Sequence, residues 1–361
     1  MNAPYSELVA ILANSIGARS VALSGKGLAT DELATQPPIV AIKDNLRPHT
    51  ELIVSVNELE KCRPEVLESK IAKHRDRSAH IVFVIATIFS SKTDDKGFNT
   101  HKIIKPKKWW RDYLSPNFPE VYELPEIEPH MPVFLTWTPD PATRKALRRL
   151  AIHIKWRRRI ASLTLRTILP ARIAFHRFMS EKALTALIED KVVALVGNAE
   201  SLSGKTWGAD IDTCDIVVRC NRSPIISTMS HGSRTDWIAM GIDVPEEIVV
   251  DRRASVVLWT SPVRKRFPSW LFRFPFVYLY PRAQSAEIAR KIGGRPSTGI
   301  SAIAILARSQ CREIRLYGFD FFNGRSLSGN HTRENTPHNF SGEQEYVARI
   351  IANDKRFTFH P

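Results

Sequence analysis

Paired cysteines, long apolar runs and, over one long stretch, acidic residues are all missing from this sequence. The four cysteines, Cys62, Cys214, Cys220 and Cys311, form neither a Cys-x-x-Cys pair nor a cluster with histidine at metal-ligand spacing. This pattern excludes a disulfide framework and a structural zinc site, and it favours a reducing, cytoplasmic environment.

The sequence predicts neither a secretory signal nor a membrane-spanning helix. Residues 1–17 lack the basic start and apolar core of a secretory signal. The longest apolar run, residues 81–89, is far shorter than the roughly 20 residues that cross a membrane as a helix. The sequence therefore predicts a soluble or peripheral protein.

Strand-like apolar stretches alternate with helix-like stretches along most of the chain. A length of 361 residues with 43% hydrophobic content suits two domains. The alternation predicts an α/β class, with two Rossmann-like domains (1–140 and 183–361) joined by a basic helical linker (141–182). The predicted strands cover residues 20–23, 39–42, 52–56, 81–88 and 133–137 in the first domain, and 192–196, 216–219, 237–240, 256–259, 276–280 and 314–317 in the second.

The predicted linker carries most of the net charge of +15. Residues 141–180 contain eleven Lys or Arg, no Asp or Glu, and interleaved apolar residues such as Trp156. This composition predicts that residues 144–177 contact an anionic membrane surface, at the inner face of the membrane, or else form a solvated linker helix. Nucleic acid is disfavoured as a partner, because no RNA- or DNA-binding module accompanies the charge.

Three segments of the first domain resemble class I methyltransferases. They are residues 20–27, a strand followed by two glycines, residues 52–61, and residues 107–114 with 118–121. Ala22, Leu23 and Ser24 stand where that family has an acidic residue for its cofactor. The resemblance therefore implies a degenerate, non-catalytic relative, with an active S-adenosylmethionine-dependent methyltransferase as the alternative.

Polar residues follow two strands of the second domain. One strand ends at Gly197 and Asn198, and Asn221 follows the next strand. Open α/β sheets bind ligands at the carboxyl ends of their strands, and an Asn side chain can both donate and accept. A glycine there would let a nucleotide approach the backbone. The pattern predicts nucleotide contacts, although both asparagines can equally cap turns.

Two further motifs in this region are weak. Residues 199–206 nearly match a P-loop, but Ala199 replaces the first glycine and little room follows for the required helix. Asp210 and Asp212 match the short acidic pair that binds a metal in many glycosyltransferases. Such pairs are frequent by chance, so the sequence predicts no metal.

A helix start and two histidines complete the candidate site. Ser297 or Thr298 is a natural N-cap, Gly299 keeps the first turn open, and the following strand ends at Gly318. The free N–H groups of such a helix bind anions. His331 and His338 can each take a proton from a hydroxyl or, when charged, stabilise a phosphate. Glu334 or Glu343 could orient an imidazole.

Together, these segments resemble the four sialylmotifs of glycosyltransferase family 29, the sialyltransferases, in the family's order. The large motif corresponds to 193–224, the small motif to 296–319, and the last two to 331–334 and 338–343. The resemblance implies an α/β nucleotide-binding domain of the GT-A-variant type. It also implies an inverting, metal-independent transfer from a CMP-sugar donor, with no other cofactor.

The same resemblance implies roles for single residues. Asn198 and Asn221, with Gly197 and Gly318, would hold the nucleotide, and Ser297, Thr298 and Gly299 would lie beside it. His338 would deprotonate the acceptor hydroxyl and His331 would contact the leaving phosphate. Glu343 and Glu334 would support them.

Three departures and two open choices qualify the resemblance. The third motif has Thr332 and Arg333 where aromatic residues are usual in the family. The animal enzymes link their large and small motifs by a disulfide, but Val193 stands opposite Cys311 here. They also carry an N-terminal membrane anchor, where this chain has an α/β domain. The donor is CMP-sialic acid or CMP-Kdo, and the acceptor is a glycan or glycolipid. A non-catalytic, membrane-associated binding protein is the alternative.

Overall fold

The computed structural model describes residues 3–24, 40–43, 50–321, 324, 326–327 and 338–360, with side chains undescribed for residues 3–4, 40–43, 158 and 161–167. The chain forms two compact units, Met1–Phe89 with His101–Thr164, and Ser90–Thr100 with Leu165–Pro361. Each unit contains a largely or wholly parallel sheet, which confirms the predicted α/β class. The boundary between the units falls inside the basic helix, whereas the sequence predicts a separate linker over residues 141–182.

The first unit is built on a sheet with the strand order β2-β1-β3-β4-β6-β5. All neighbouring strands are parallel except at β6, which is antiparallel to both β4 and β5. The strands are β1 (Ser20–Ser24), β2 (Val40–Lys43), β3 (Leu52–Val56), β4 (Ile81–Val84), β5 (Tyr122–Glu123) and β6 (Val133–Leu135), and the helices are α1 (Ala3–Ser15), α2 (Pro64–Arg75), α3 (Lys107–Leu114) and α4 (Pro141–Phe175).

Helices cover both faces of this sheet. On one face, Leu8 and Leu12 of α1 pack with Leu147 and Leu150 of α4. On the other face, the core includes Trp110 of α3 together with apolar residues of α2. The resemblance to methyltransferases stays a prediction, because Gly25 and Gly27 lie outside the described residues.

Strand β4 is shorter than predicted. It ends at Val84, although the N–H groups of Ile85 and Thr87 still donate to Pro132 and His130 in the register of β6. The return bonds are missing, because proline has no N–H and the N–H of His130 donates to Glu126. The apolar run beyond Val84 is therefore not strand, although Ile85 is buried.

The second unit is built on a parallel sheet with the strand order β11-β10-β9-β8-β7-β12-β13. Its strands are β7 (Val192–Val196), β8 (Ile216–Cys220), β9 (Trp237–Met240), β10 (Val256–Trp259), β11 (Val277–Leu279), β12 (Glu313–Tyr317) and β13 (Phe357–His360). Its helices, besides the end of α4, are α5 (Glu181–Ile188), α6 (Gly208–Thr213), α7 (Thr228–His231), α8 (Glu246–Asp251), α9 (Arg282–Ile292), α10 (Thr298–Ala307) and α11 (Phe340–Asn353).

The connections of this sheet reverse direction at one place. From β7 the chain proceeds outward through β8 to β11, and it then returns to pair β12 with the other edge of β7. The reversal creates a crevice outside the carboxyl ends of β7 and β12, which is where open α/β sheets bind ligands.

Helix α10 is almost entirely buried behind this crevice. Residues 300–306 are all buried, and the side chain of Ser297 caps the helix by accepting from the N–H of Ile300 at 3.3 Å. This confirms the predicted helix start. Cys311, just beyond the helix, is a buried free thiol, and Val193 lies in β7, as the predicted lack of a bridge requires.

Candidate active site

A cleft of about 310 Å³ lies in the second unit at the carboxyl ends of its central strands. All the predicted site residues that the structure describes line this cleft. His331 and Glu334 lie outside the described residues. The predicted residues in the cleft are Gly197, Asn198, Asn221, Ser297, Thr298, Gly299, Gly318, His338 and Glu343.

Gly197 and Gly318 bring the ends of β7 and β12 into close contact. The N–H of Gly197 donates to the carbonyl of Tyr317 at 2.8 Å, and the N–H of Ala199 donates to Gly318 at 3.1 Å. A Cβ atom on Gly197 would lie 2.3 Å from the carbonyl oxygen of Gly318, which itself has a φ of +66°. The missing side chain of Gly197 makes room for the end of the neighbouring strand, and its predicted role beside a nucleotide stays a prediction.

Asn198 lines the cleft, and one of its side-chain atoms is an acceptor without a partner among the described residues. Its Nδ2 donates to the carbonyl of Cys220 at 3.0 Å, so the side chain bridges the ends of β7 and β8. Its Oδ1 is buried and has no hydrogen-bond partner among the described residues. Because a buried acceptor without a partner is costly, this oxygen is suited to accept from a ligand N–H or O–H.

Asn221 connects three parts of the cleft wall. It has a left-handed backbone, with φ of +54°, and its N–H donates to Ala239 at 2.7 Å. Its Oδ1 accepts from the N–H of Gly241 at 3.1 Å and from Oγ1 of Thr298 at 3.3 Å. The side-chain oxygen is therefore committed to the protein, which leaves the amide Nδ2 as the group that can bind a ligand.

The start of α10 is held by a buried carboxyl group. Oε1 of Glu343 accepts from the N–H of Ser297 at 2.7 Å, and Glu343 is only 2% exposed. Burial raises the pKa of Glu343 to about 7, although the hydrogen bonds from Ser297 oppose this shift. Glu343 therefore fixes the N-terminal turn of the helix that lines the cleft.

His338 is oriented by a backbone carbonyl. Its Nδ1 lies 2.8 Å from the carbonyl oxygen of Arg295, which can only accept, so Nδ1 carries the proton. The lone pair of the neutral imidazole is then on Nε2. The sequence proposes Glu343 or Glu334 as the orienting group, but Glu343 binds Ser297 instead and Arg295 takes that role.

Two arginines that belong to none of the predicted site residues also line the cleft. Arg266 and Arg295 both line it, and NH2 of Arg295 donates to Oγ of Ser261 at 3.4 Å. Burial, with a smaller contribution from the charge of Arg266, lowers the pKa of Arg295. Two guanidinium groups that repel each other in one cleft favour an anionic ligand. Arg295 directly precedes Pro296 and Ser297, so its position beside the predicted N-cap could have indicated that it lies in the site.

The two weak motifs have structural roles outside this chemistry. Residues Glu200–Gly204 form a 3-10 helix, so the P-loop-like segment does not open an α-helix. The carboxylate of Asp212 accepts from the N–H groups of Ser233 and Arg234 at 2.8–3.0 Å. Among the described residues, no group of three or more His, Cys, Asp or Glu side chains is placed to hold a metal.

Comparison with known proteins supports the resemblance stated above. Residues 176–267 match the family model of glycosyltransferase family 29 (sialyltransferase). A type 2 lactosamine alpha-2,3-sialyltransferase of Mus musculus is 25% identical over 209 residues, which are 45% of this chain and 62% of that protein. The chain thus covers less than two thirds of this relative's length.

Solved structures of sialyltransferases are also similar to this chain. A mammalian sialyltransferase is 22% identical, with a TM-score of 0.37, over 49% of this chain and 71% of its own. A sialyltransferase from Campylobacter jejuni, in complex with the substrate analogue cytidine-5'-monophosphate, is 14% identical, with a TM-score of 0.34, over 47% of this chain and 80% of its own.

Proposed function

We propose that the second unit is a glycosyltransferase that moves an acidic keto-sugar from a CMP donor to a hydroxyl of a glycan or glycolipid. The observation that carries this proposal is one cleft that combines a tautomer-fixed histidine, a helix N-terminus and two arginines. The family match over residues 176–267 favours CMP-sialic acid as the donor. CMP-Kdo is the second candidate, since it is also an acidic keto-sugar carried on CMP.

The cleft offers complementary groups for each part of such a donor. Oδ1 of Asn198 and Nδ2 of Asn221 suit the amine, carbonyl and hydroxyl groups of cytidine. The N-terminal turn of α10 and the guanidinium groups of Arg266 and Arg295 suit the phosphate and the sugar carboxylate. Thr298, bound to Asn221, joins these two regions.

His338 would act as the general base. Nε2 takes the proton of the acceptor hydroxyl while its oxygen attacks the anomeric carbon of the sugar. The bond from that carbon to the phosphate oxygen breaks, its electron pair leaves with CMP, and the imidazolium later returns its proton to solvent. Proton transfer of this kind contributes about 10²–10⁴-fold to rates.

A single displacement of this kind inverts the anomeric centre, and we propose an inverting, metal-independent reaction. Among the described residues, two carboxyl groups line the cleft, and each already accepts from a backbone N–H: Glu343 from Ser297 and Asp320 from Gly324. Arg266 and Arg295 supply positive charge for the leaving phosphate. A cytoplasmic location fits the free thiols of all four cysteines.

Calorimetric titration with CMP tests donor binding, and transfer from labelled CMP-sialic acid or CMP-Kdo tests the reaction. We expect saturable CMP binding that is weakened by Asn198→Ala and unaffected by Asn353→Ala, an exposed asparagine of the same unit. CMP binding without transfer from either donor would favour the non-catalytic alternative. Failure to bind CMP would refute the proposed donor class.

A further inference from the structure

One face of the first part of α4 exposes apolar side chains in a row. Ile152, Trp156 and Ile160 are 55%, 54% and 56% exposed. They follow one another at intervals of four residues, so they lie within about 80° of the helix circumference. We call these three residues the apolar stripe. Lys145 and Arg149, both exposed, continue the same face toward the helix start.

The apolar stripe lies opposite the face that α4 packs into its own unit. Leu147, Leu150 and Ile154 are 4%, 4% and 9% exposed and belong to the core formed with α1 and the sheet. Because these residues fix the rotation of the helix, the apolar stripe is held outward. A fixed outward row of large apolar side chains indicates a binding surface rather than a loosely packed helix.

Basic side chains border the apolar stripe. Arg148, Lys155 and Arg159 are exposed and, at 100° per residue, lie along one edge of it. The guanidinium of Arg159 lies 5.8 Å from the centre of the Trp156 ring, within the range of a cation–π contact. Residues 141–180 contain no Asp or Glu, so no acidic side chain of α4 neutralises this charge.

We infer that this face of α4 binds the surface of an anionic lipid bilayer. Ile152 and Ile160 would enter the boundary between headgroups and acyl chains, and Trp156 would lie at the interface, where its ring is favoured. The lysines and arginines beside them would bind lipid phosphates. A nucleic acid would satisfy the charges but would leave the two isoleucines exposed, so a membrane accounts for more of the surface.

Vesicle flotation of the full chain tests this inference. We expect binding to phosphatidylcholine vesicles that contain phosphatidylglycerol, and little binding to phosphatidylcholine alone. The double variant Lys145→Gln/Arg149→Gln should bind about 25-fold more weakly, since each charge contributes about fivefold. Lys205→Gln/Lys355→Gln removes the same charge from exposed lysines elsewhere and should bind like the wild type.

The apolar contribution is tested separately. Ile152→Ser/Trp156→Ser/Ile160→Ser should lose the part of the binding that survives about 0.5 M salt, where surface charges are screened. Quenching of tryptophan fluorescence by brominated lipids should fall in Trp156→Phe, a variant that preserves the fold. Equal binding to neutral and anionic vesicles, no binding, or stronger binding to RNA that the serine variant retains would each overturn the inference.

Discussion

The Nδ1 atom of His338 donates to the carbonyl oxygen of Arg295 across 2.8 Å, and this contact determines which ring nitrogen can act as a base. The two residues are 43 positions apart in the chain. Arg295 directly precedes the N-terminal turn of α10, which Ser297 caps, so the base and the proposed phosphate-binding turn are positioned by the same short segment. Orientation of the imidazole and the proposed binding of the donor would therefore be coupled through Arg295.

Replacing His338 with alanine tests its role as the base. We expect kcat for sugar transfer to fall by about 10²–10⁴-fold, while the Kd for CMP changes little, because the proton acceptor is lost and the nucleotide contacts remain. The measurement is single-turnover transfer alongside calorimetry. His153→Ala, an exposed histidine of α4, is the control and should behave like the wild type. A matching loss of CMP affinity would instead assign His338 to donor binding.

Asn198 should be sensitive to the exact chemistry of its amide. Asn198→Asp keeps the Oδ1 acceptor but loses the donor to Cys220 and adds a negative charge to the cleft that is proposed to bind an anionic donor. We expect CMP to bind about 5–150-fold more weakly to this variant, since losing the buried hydrogen bond that positions Oδ1 costs about 1–3 kcal/mol. Unchanged CMP affinity in Asn198→Asp would place the nucleotide elsewhere in the cleft.

Much of the second unit follows from local sequence patterns. The predicted bounds of β7, β9 and β10 match the structure, because each is a short apolar run ended by a polar residue or glycine. The start of α10 could also be predicted from the sequence, because a serine directly before an apolar run is a typical helix N-cap. Strand β13 was missed, since its residues 358–359 are exposed at the sheet edge and give no apolar run.

The contacts of the site depend on long-range packing instead. Glu343 meets Ser297 only because α11 packs beside α10, whereas the sequence offered Glu343 or Glu334 as the group that orients an imidazole. Arg266 enters the cleft from the end of β10, far from every motif. Similarly, the contact of Gly197 with Gly318 requires the pairing of β7 with β12, which no local pattern specifies.

The contact between Gly197 and Gly318 predicts a sharp difference between two glycines. In Gly197→Ala the new Cβ would lie 2.3 Å from a backbone oxygen, which cannot move without displacing β12. We expect the free energy of unfolding to fall by about 3 kcal/mol. Gly204→Ala, where nothing lies within 4 Å, should change it by less than about 0.5 kcal/mol. Urea unfolding measures both, and equal values would contradict the close approach.

The buried carboxyl of Glu343 predicts how stability depends on pH. Its pKa is about 7 in the folded protein and near 4.5 when unperturbed, so between these values the folded state binds more protons than the unfolded state. The free energy of unfolding contributed by this group therefore falls as pH rises from 4.5 to 7, and it is constant outside that window. The size of the effect is on the order of 3 kcal/mol.

Glu343→Gln should remove this dependence, because glutamine does not titrate yet can still accept from the N–H of Ser297. We expect the variant to gain stability relative to the wild type as pH rises from 5 to 7, measured by urea unfolding at several pH values. Glu60, a buried carboxyl in the first unit whose pKa burial also raises to about 7, is common to both proteins and cancels in the difference. Glu345→Gln, two residues along the same helix and exposed, is the control. Parallel curves for Glu343→Gln and the wild type would mean that Glu343 is ionised in the folded protein throughout this range. The start of α10 would then carry a buried negative charge, which would oppose binding of the phosphate there.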